Sequence, residues 1–285
     1  MLHEHADRLR ATREFALVEV GFLNYSEPKF ADAVRACSAA GVERVIIVPY
    51  FLVPGVFVAK DLPRALDSVR PEFRSLEFVL ADPIGFDPRL ADAILDLAES
   101  AAGPDRWRED LLRAPEFCTA NPRCPLFRTP SCPATLGSTP VSASEGERLR
   151  STLTEIQNPK SNIQNRSLLV VAHGSPDYSA NAQMFEVIDL IRARKVYPIV
   201  EFGFLDCNEP DIPTAIDRCA SLGTSRIEVV PYFLHTGRHV ADDIPTLLEE
   251  GRVRHPDIDF RLARYLGSSN KITDILGDRA AEARK

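Results

Sequence analysis

Short, continuously apolar stretches alternate along the chain with segments whose apolar residues recur every three or four positions. Residues 167–172 (SLLVVA) run straight into His173-Gly174-Ser175, which predicts a buried parallel strand closed by a turn. Residues 179–195 carry Met184, Ile188 and Ile191 at helical spacing. Residues 198–205 predict a second strand, 210–222 a helix stopped by Gly223, and 226–234 a third strand. A helix over 240–251, a fourth strand over 259–263 and a closing helix from Asn270 complete the series. Such alternation implies right-handed crossovers and a doubly wound, flavodoxin-like parallel sheet of the α/β class. Ligands of these sheets sit at the carboxyl ends of the strands.

The same pattern occurs twice. Val18-Glu19-Val20-Gly21-Phe22-Leu23 matches Val200-Glu201-Phe202-Gly203-Phe204-Leu205, and Val48-Pro49-Tyr50-Phe51-Leu52 matches Val230-Pro231-Tyr232-Phe233-Leu234. The offset is 182 in both cases, and 21 of the 46 positions from 18 to 63 are identical without a gap, so the chain is an internal duplication. Glu27-Pro28 repeats as Glu209-Pro210, which reads as a helix start, because Glu and Pro suit a first turn.

Met1 aligns with Gln183, so the first copy has no counterpart for residues 167–182, the central strand and its loop. A sheet without its central strand leaves backbone groups unpaired. The expectation is that upstream sequence supplies this strand, or that part of the connecting segment does. The expected domains are an incomplete copy over 1–103, a Pro/Ser/Thr-rich linker with three cysteines over 104–166, and a complete copy over 167–285.

Composition narrows the function. With 34 basic and 41 acidic residues the net charge is −7, which argues against nucleic acid as the partner. No apolar stretch is long enough to span a membrane, and the charged start does not read as a leader, so a cytoplasmic chain with reduced thiols is expected. No P-loop or G-x-G-x-x-G follows a strand, and Ser175 lies in no G-x-S-x-G elbow.

The three expected strand ends of the second copy carry His173, Asp206 and His235-Thr236-Gly237-Arg238-His239. A histidine at a strand end is commonly only a turn residue, but two in equivalent loops of one sheet point to function. Two imidazoles and a carboxylate suit a divalent first-row metal, and a neutral imidazole can also accept a proton. Asp206 could equally cap the next helix. Gly174 allows a flat ligand close to the backbone, and Ser175 can donate a hydrogen bond or cap a helix. Arg238 can pair with an anionic side arm or stay solvated, and His235 either supports the site or is simply exposed.

Together, His-Gly-Ser after strand one, G-F-L-[acid]-x-x-x-P after strand two and V-P-Y-F-L-x-x-G-R-H-V-x-x-D-[IL]-P after strand three resemble the sirohydrochlorin cobaltochelatase/ferrochelatase family. The resemblance covers residues 167–285 and most of 1–103. It implies two chelatase-like domains and insertion of Co²⁺ or Fe²⁺, as substrate, into sirohydrochlorin on the way to cobalamin or sirohaem. It places the two histidines on His173 and His239 and the acidic metal contact on Asp206, where members more often carry Glu. It implies no organic cofactor, and a monomer whose copies form a pseudo-dimer. The first copy has Phe57, Asn24 and Val56 where the second has His239, Asp206 and Arg238, so it is expected to wall the macrocycle while the second does the chemistry. Some long relatives hold an iron–sulfur cluster, but Cys118, Cys124 and Cys132 fit no compact ligand pattern, and no cluster is expected there. The competing reading is a metal or tetrapyrrole carrier that uses the same histidines without turnover.

Overall fold

A computed structural model of the chain describes residues 1–24, 26–53, 55–107 and 165–284. The first half comprises α1 (Leu2–Thr12), α2 (Phe30–Ala39), β1 (Arg44–Ile47), α3 (Leu62–Val69), β2 (Glu77–Leu80) and α4 (Pro88–Glu99). The second comprises β3 (Arg166–Ala172), α5 (Ala182–Arg194), β4 (Ile199–Phe204), α6 (Ile212–Ser221), β5 (Arg226–Pro231), α7 (Ile244–Arg254), β6 (Asp259–Leu262) and α8 (Lys271–Glu282). Equivalent elements keep the offset of the sequence repeat. α2 and α6 match residue for residue, as do two π-helical turns, Phe57–Asp61 and His239–Asp243. Both α1 and α5 end on a left-handed residue, Arg13 and Lys195.

The second half forms the expected doubly wound sheet. Its four strands are parallel in the order β4-β3-β5-β6, with β3 central. Leu168, Leu169, Val170 and Val171 of β3 are fully buried, which is why this stretch reads as continuously apolar.

In the first half, among the described residues, only β1 and β2 pair, in parallel. Residues 18–21, equivalent to part of β4, form no ladder, and among the described residues no strand lies between them and β1. The cost shows in burial. Ile227, Val229 and Val230 of β5 are fully buried, whereas their counterparts Val45, Ile47 and Val48 are only half-buried. Among the described residues, then, nothing occupies the place of β3 in the first sheet, the strand for which the alignment finds no counterpart. The linker and its cysteines at 118, 124 and 132 lie outside the described residues.

One sequence expectation is corrected. Glu209-Pro210 does not start a helix: this peptide bond is cis, as is Glu27-Pro28. Helix α6 begins at Ile212, with Asp211 as its cap accepting from the Thr214 amide at 2.8 Å. Asp211 can satisfy an unpaired first-turn amide, and Pro213 fills the first turn where no amide is needed.

The halves join through helices in a pseudo-two-fold manner. α1 packs on α8, its counterpart arrangement is α5 on α4, and α4 also meets α8. Leu90 and Ile94 of α4, Ile188 and Ile191 of α5, and Ile272 and Ile275 of α8 share one buried cluster with Leu168 and Val170 of β3. Full burial of side chains this size contributes about 1.5–3 kcal/mol each, so apolar packing dominates the junction. Arg279 adds hydrogen bonds from its guanidinium to the carbonyls of Pro83, Ile84 and Phe86. Beyond α4 the chain pairs Ala102 with Leu262, which covers the free edge of β6. No described helix is long and apolar enough to cross a membrane.

Candidate functional site

The ladder between β3 and β4 continues past both strands. The Leu205 amide donates to Ala172 at 2.8 Å, and the Asp206 amide donates to His173 at 2.9 Å. His173 and Asp206 are thereby side by side at the carboxyl end of the sheet. Gly174 follows with φ +88°, and a Cβ there would lie 2.1 Å from the Asp206 carbonyl oxygen. Only glycine fits this crossing.

The loop is locked by a residue the sequence did not single out. Asn208 Oδ1 accepts from the Ser175 amide at 2.7 Å and from Asn181 Nδ2 at 3.0 Å. Ser175 caps no helix. Its Oγ accepts from the Asp177 amide, and Asp177 in turn caps the short 3₁₀ turn Tyr178–Asn181.

His239 opens the π-helical turn after β5. Its ring lies edge-on to that of His173, with centroids 4.8 Å apart and planes at 82°. Its Nδ1 is 2.7 Å from Oδ2 of Asp243, at the other end of the same turn. Arg238, largely exposed, approaches the same carboxylate at 3.7 Å. Asp243 held a place in the sequence motif but no role, and its signal was the four-residue spacing from His239.

Asp206 and His235 are placed differently. The Asp206 carboxylate is exposed, and its Oδ1 accepts from the Cys207 amide at 2.7 Å. Among the described residues no group of three or more His, Cys, Asp or Glu side chains stands at metal-holding separation. The arrangement is thus two imidazoles, with Asp206 beside them on the neighbouring strand end. His235 packs on Tyr50 of the first half, ring centroids 5.3 Å apart. Burial in that junction pushes its pKa below the usual histidine value.

A duplicated, doubly wound α/β protein with a histidine pair at its strand ends is the class these features define. The chain belongs to the CbiX family, whose profile matches residues 1–101 and 167–283. It is 24% identical over 266 residues to the sirohydrochlorin cobaltochelatase of Priestia megaterium, covering 93% of this chain and 69% of that protein. It is 32% identical over 112 residues to the chloroplastic sirohydrochlorin ferrochelatase of Arabidopsis thaliana, 39% of this chain and 50% of that one. In structure it is similar to SirB from Bacillus subtilis, solved with Fe³⁺, with a TM-score of 0.67 at 16% identity, covering 99% of this chain and 88% of the other. That likeness establishes the shared fold.

Proposed function

We propose that this chain is a sirohydrochlorin chelatase that inserts Co²⁺ or Fe²⁺ into the macrocycle. The observation that carries the reading is the His173–His239 pair at the strand ends of the complete sheet, 4.8 Å apart. Membership in the CbiX family and the chelatase names of its relatives support it. The family profile falls on two separate segments, which supports halves over 1–103 and 167–285 with a connection over 104–166.

Insertion requires the metal to lose water while the macrocycle loses two N–H protons. Two imidazoles offer a weak, open ligand set, so the metal can be held and then released. The Nδ1 of His239 is engaged by Asp243, which leaves Nε2 as its working nitrogen. One histidine can hold the metal while the other accepts the two pyrrole protons in turn, passing each to solvent from its exposed ring. Asp206, bonded through its backbone to His173, is proposed to contact the metal as it arrives rather than to complete a three-ligand set with the two imidazoles, since the three do not stand at metal-holding separation. Gly174 and Ser175 are proposed to border the flat substrate, Arg238 to pair with a carboxylate side arm, and His235 to support the loop.

Anaerobic incubation with sirohydrochlorin and either metal, followed by absorbance of the metallated product, tests the reading. The wild-type chain should exceed the spontaneous rate, and His173→Ala and His239→Ala should each lose most of that excess. A wild-type rate equal to the spontaneous one would leave a carrier. Full activity in both variants would remove the site assignment.

A further inference from the structure

The first half keeps the two edges that hold β3 in the second. Residues 17–22 and 44–49 are the counterparts of 199–204 and 226–231, the stretches that pair with β3, and seven of these twelve positions are identical. The helices hold both edges alike. Arg10 Nε donates to the Val18 carbonyl at 2.8 Å, as Arg192 Nε does to Val200 at 3.2 Å. A Cβ on Gly21 would lie 3.0 Å from Ala33 Cβ of α2, and one on Gly203 3.1 Å from Ala215 Cβ of α6. Val45 and Ile47 of β1 pack on the cluster that contains Val34 of α2, as Ile227 and Val229 of β5 pack with Ile216 of α6. Edges held this way stand two strand spacings apart, about 10 Å, with room for one strand between them. The Tyr232 amide donates to Val171 of β3 at 2.7 Å, and among the described residues the amides of Tyr50 and of 17–21 have no such acceptor.

The lining changes its chemistry at one place. Arg166 of β3 forms an ion pair with Glu228, which also accepts from the Tyr197 hydroxyl, and the guanidinium lies over the Tyr197 ring. In the first half Ile46 stands for Glu228 and Phe15 for Tyr197. Arg284 already sits over the Phe15 ring at 4.4 Å. A second guanidinium there would find no carboxylate and a cation beside it.

We infer that the first half binds, in trans and in parallel, an extended apolar strand of another polypeptide, selected for an apolar residue where β3 has Arg166. Residues 108–164 contain no run of five apolar residues to match the LLVVA of β3. The lock on the loop after the strand is not kept either, since Ser26 stands for Asn208, so what persists is the slot and not the turn that follows it. Main-chain hydrogen bonds to both edges supply the affinity, and Ile46 and Phe15 supply the selectivity. The inference goes beyond the chelatase reading and does not depend on the metal chemistry.

The test adds two synthetic peptides to the full-length chain and follows alkylation of Cys37 by mass spectrometry. One peptide has the sequence of residues 165–173, and the other carries Arg166→Leu. Cys219 is fully buried in the cluster with Leu169 and Val171 of β3, whereas its counterpart Cys37 is half-buried. Filling the slot should therefore slow Cys37 alkylation about tenfold and leave the exposed Cys207 unchanged. The Arg166→Leu peptide should bind about tenfold tighter than the other. In Ile46→Glu that order should reverse, and Phe15→Tyr, a milder change, should narrow the gap. A peptide with Val170→Pro lacks a ladder amide and should not protect. If neither peptide slows Cys37 alkylation, or the Val170→Pro peptide slows it equally, the inference is overturned. A Cys37 as unreactive as Cys219 before any peptide is added would show that the chain's own residues fill the slot, and would overturn it too. An unchanged order of the two peptides in both variants would refute the selectivity.

Discussion

His239 and Asp243 face each other across one π-helical turn, Nδ1 to Oδ2 at 2.7 Å. A carboxylate accepts the Nδ1 proton, fixes the tautomer and turns the Nε2 lone pair outward. Asp243→Ala should lower metal affinity or turnover about 10–100-fold. Asp243→Asn keeps an acceptor and should recover part of that loss. Steady-state metal dependence of the three proteins decides the matter, and wild-type behaviour of Asp243→Ala would remove the positioning role. The retained Asp61 beside Phe57 is the internal control, since Asp61→Ala has no imidazole to orient and should leave metal dependence unchanged.

Gly174 carries a second prediction. With φ at +88° and the Asp206 oxygen 2.1 Å from any Cβ, Gly174→Ala must move either the His173 loop or the β4 loop. The expected cost is about 1–3 kcal/mol of stability, with turnover lost as His173 shifts. Denaturant unfolding together with the metallation assay measures both. An unchanged midpoint would mean that the loop relaxes freely. Gly223, also at positive φ but with open space around it, should show only the backbone part of this penalty on replacement by Ala.

Asn208 should behave as a clamp. Its single Oδ1 serves both the Ser175 amide and the buried Asn181 amide group. Asn208→Ala leaves both donors without their partner and should cost about 1–3 kcal/mol. Asn208→Asp retains the acceptor and should cost less. Equal midpoints for Asn208→Ala and wild type would show that water replaces the clamp without loss.

How far the sequence carried this picture can be traced through individual residues. The strands of the second half were legible because β3 is buried on both faces and runs unbroken and apolar from Leu168 to Ala172, while β5 is apolar but for the buried Glu228. The histidine pair was legible because the parallel-sheet rule sends ligands to strand ends. The gap in the first sheet among the described residues corresponds to 16 positions without a counterpart in the repeat, 167 to 182. The rest depended on local geometry. Nothing in the sequence says that residues 239–243 form a π turn rather than an ordinary first helical turn, and the Asp243 contact goes with that turn. Cys207 adopts φ +66°, which places its amide on the Asp206 carboxylate. A cysteine gives no warning of that conformation. Glu209-Pro210 misled as a helix start because Asp211, the better cap, lies just beyond it.

The last prediction concerns acid. His5 of α1 is fully buried against the second half, with Nε2 2.9 Å from the Gly267 carbonyl and Nδ1 2.8 Å from Thr273 Oγ1. A carbonyl only accepts, so Nε2 carries the proton and Nδ1 accepts from the Thr273 hydroxyl. Burial pushes the His5 pKa below its usual 6.5; the Gly267 carbonyl opposes the shift, and Arg8 and the amino terminus reinforce it while Glu4 works against it. A histidine with a depressed pKa binds its proton more readily in the unfolded chain. Its contribution is therefore fully present above about pH 6.5 and lost as pH falls through that value toward the folded pKa. His235, at the same junction, is shifted in the same direction and adds the same sign. The melting temperature should fall between pH 7.5 and pH 5.5. His5→Gln should be less stable than wild type at pH 7.5, and the gap should narrow at pH 5.5 as wild-type His5 takes up its proton. A gap that stays constant toward acid would show that His5 titrates alike in the folded and unfolded chains and leave packing as its only role, and a gap that widens would show a folded pKa raised rather than lowered.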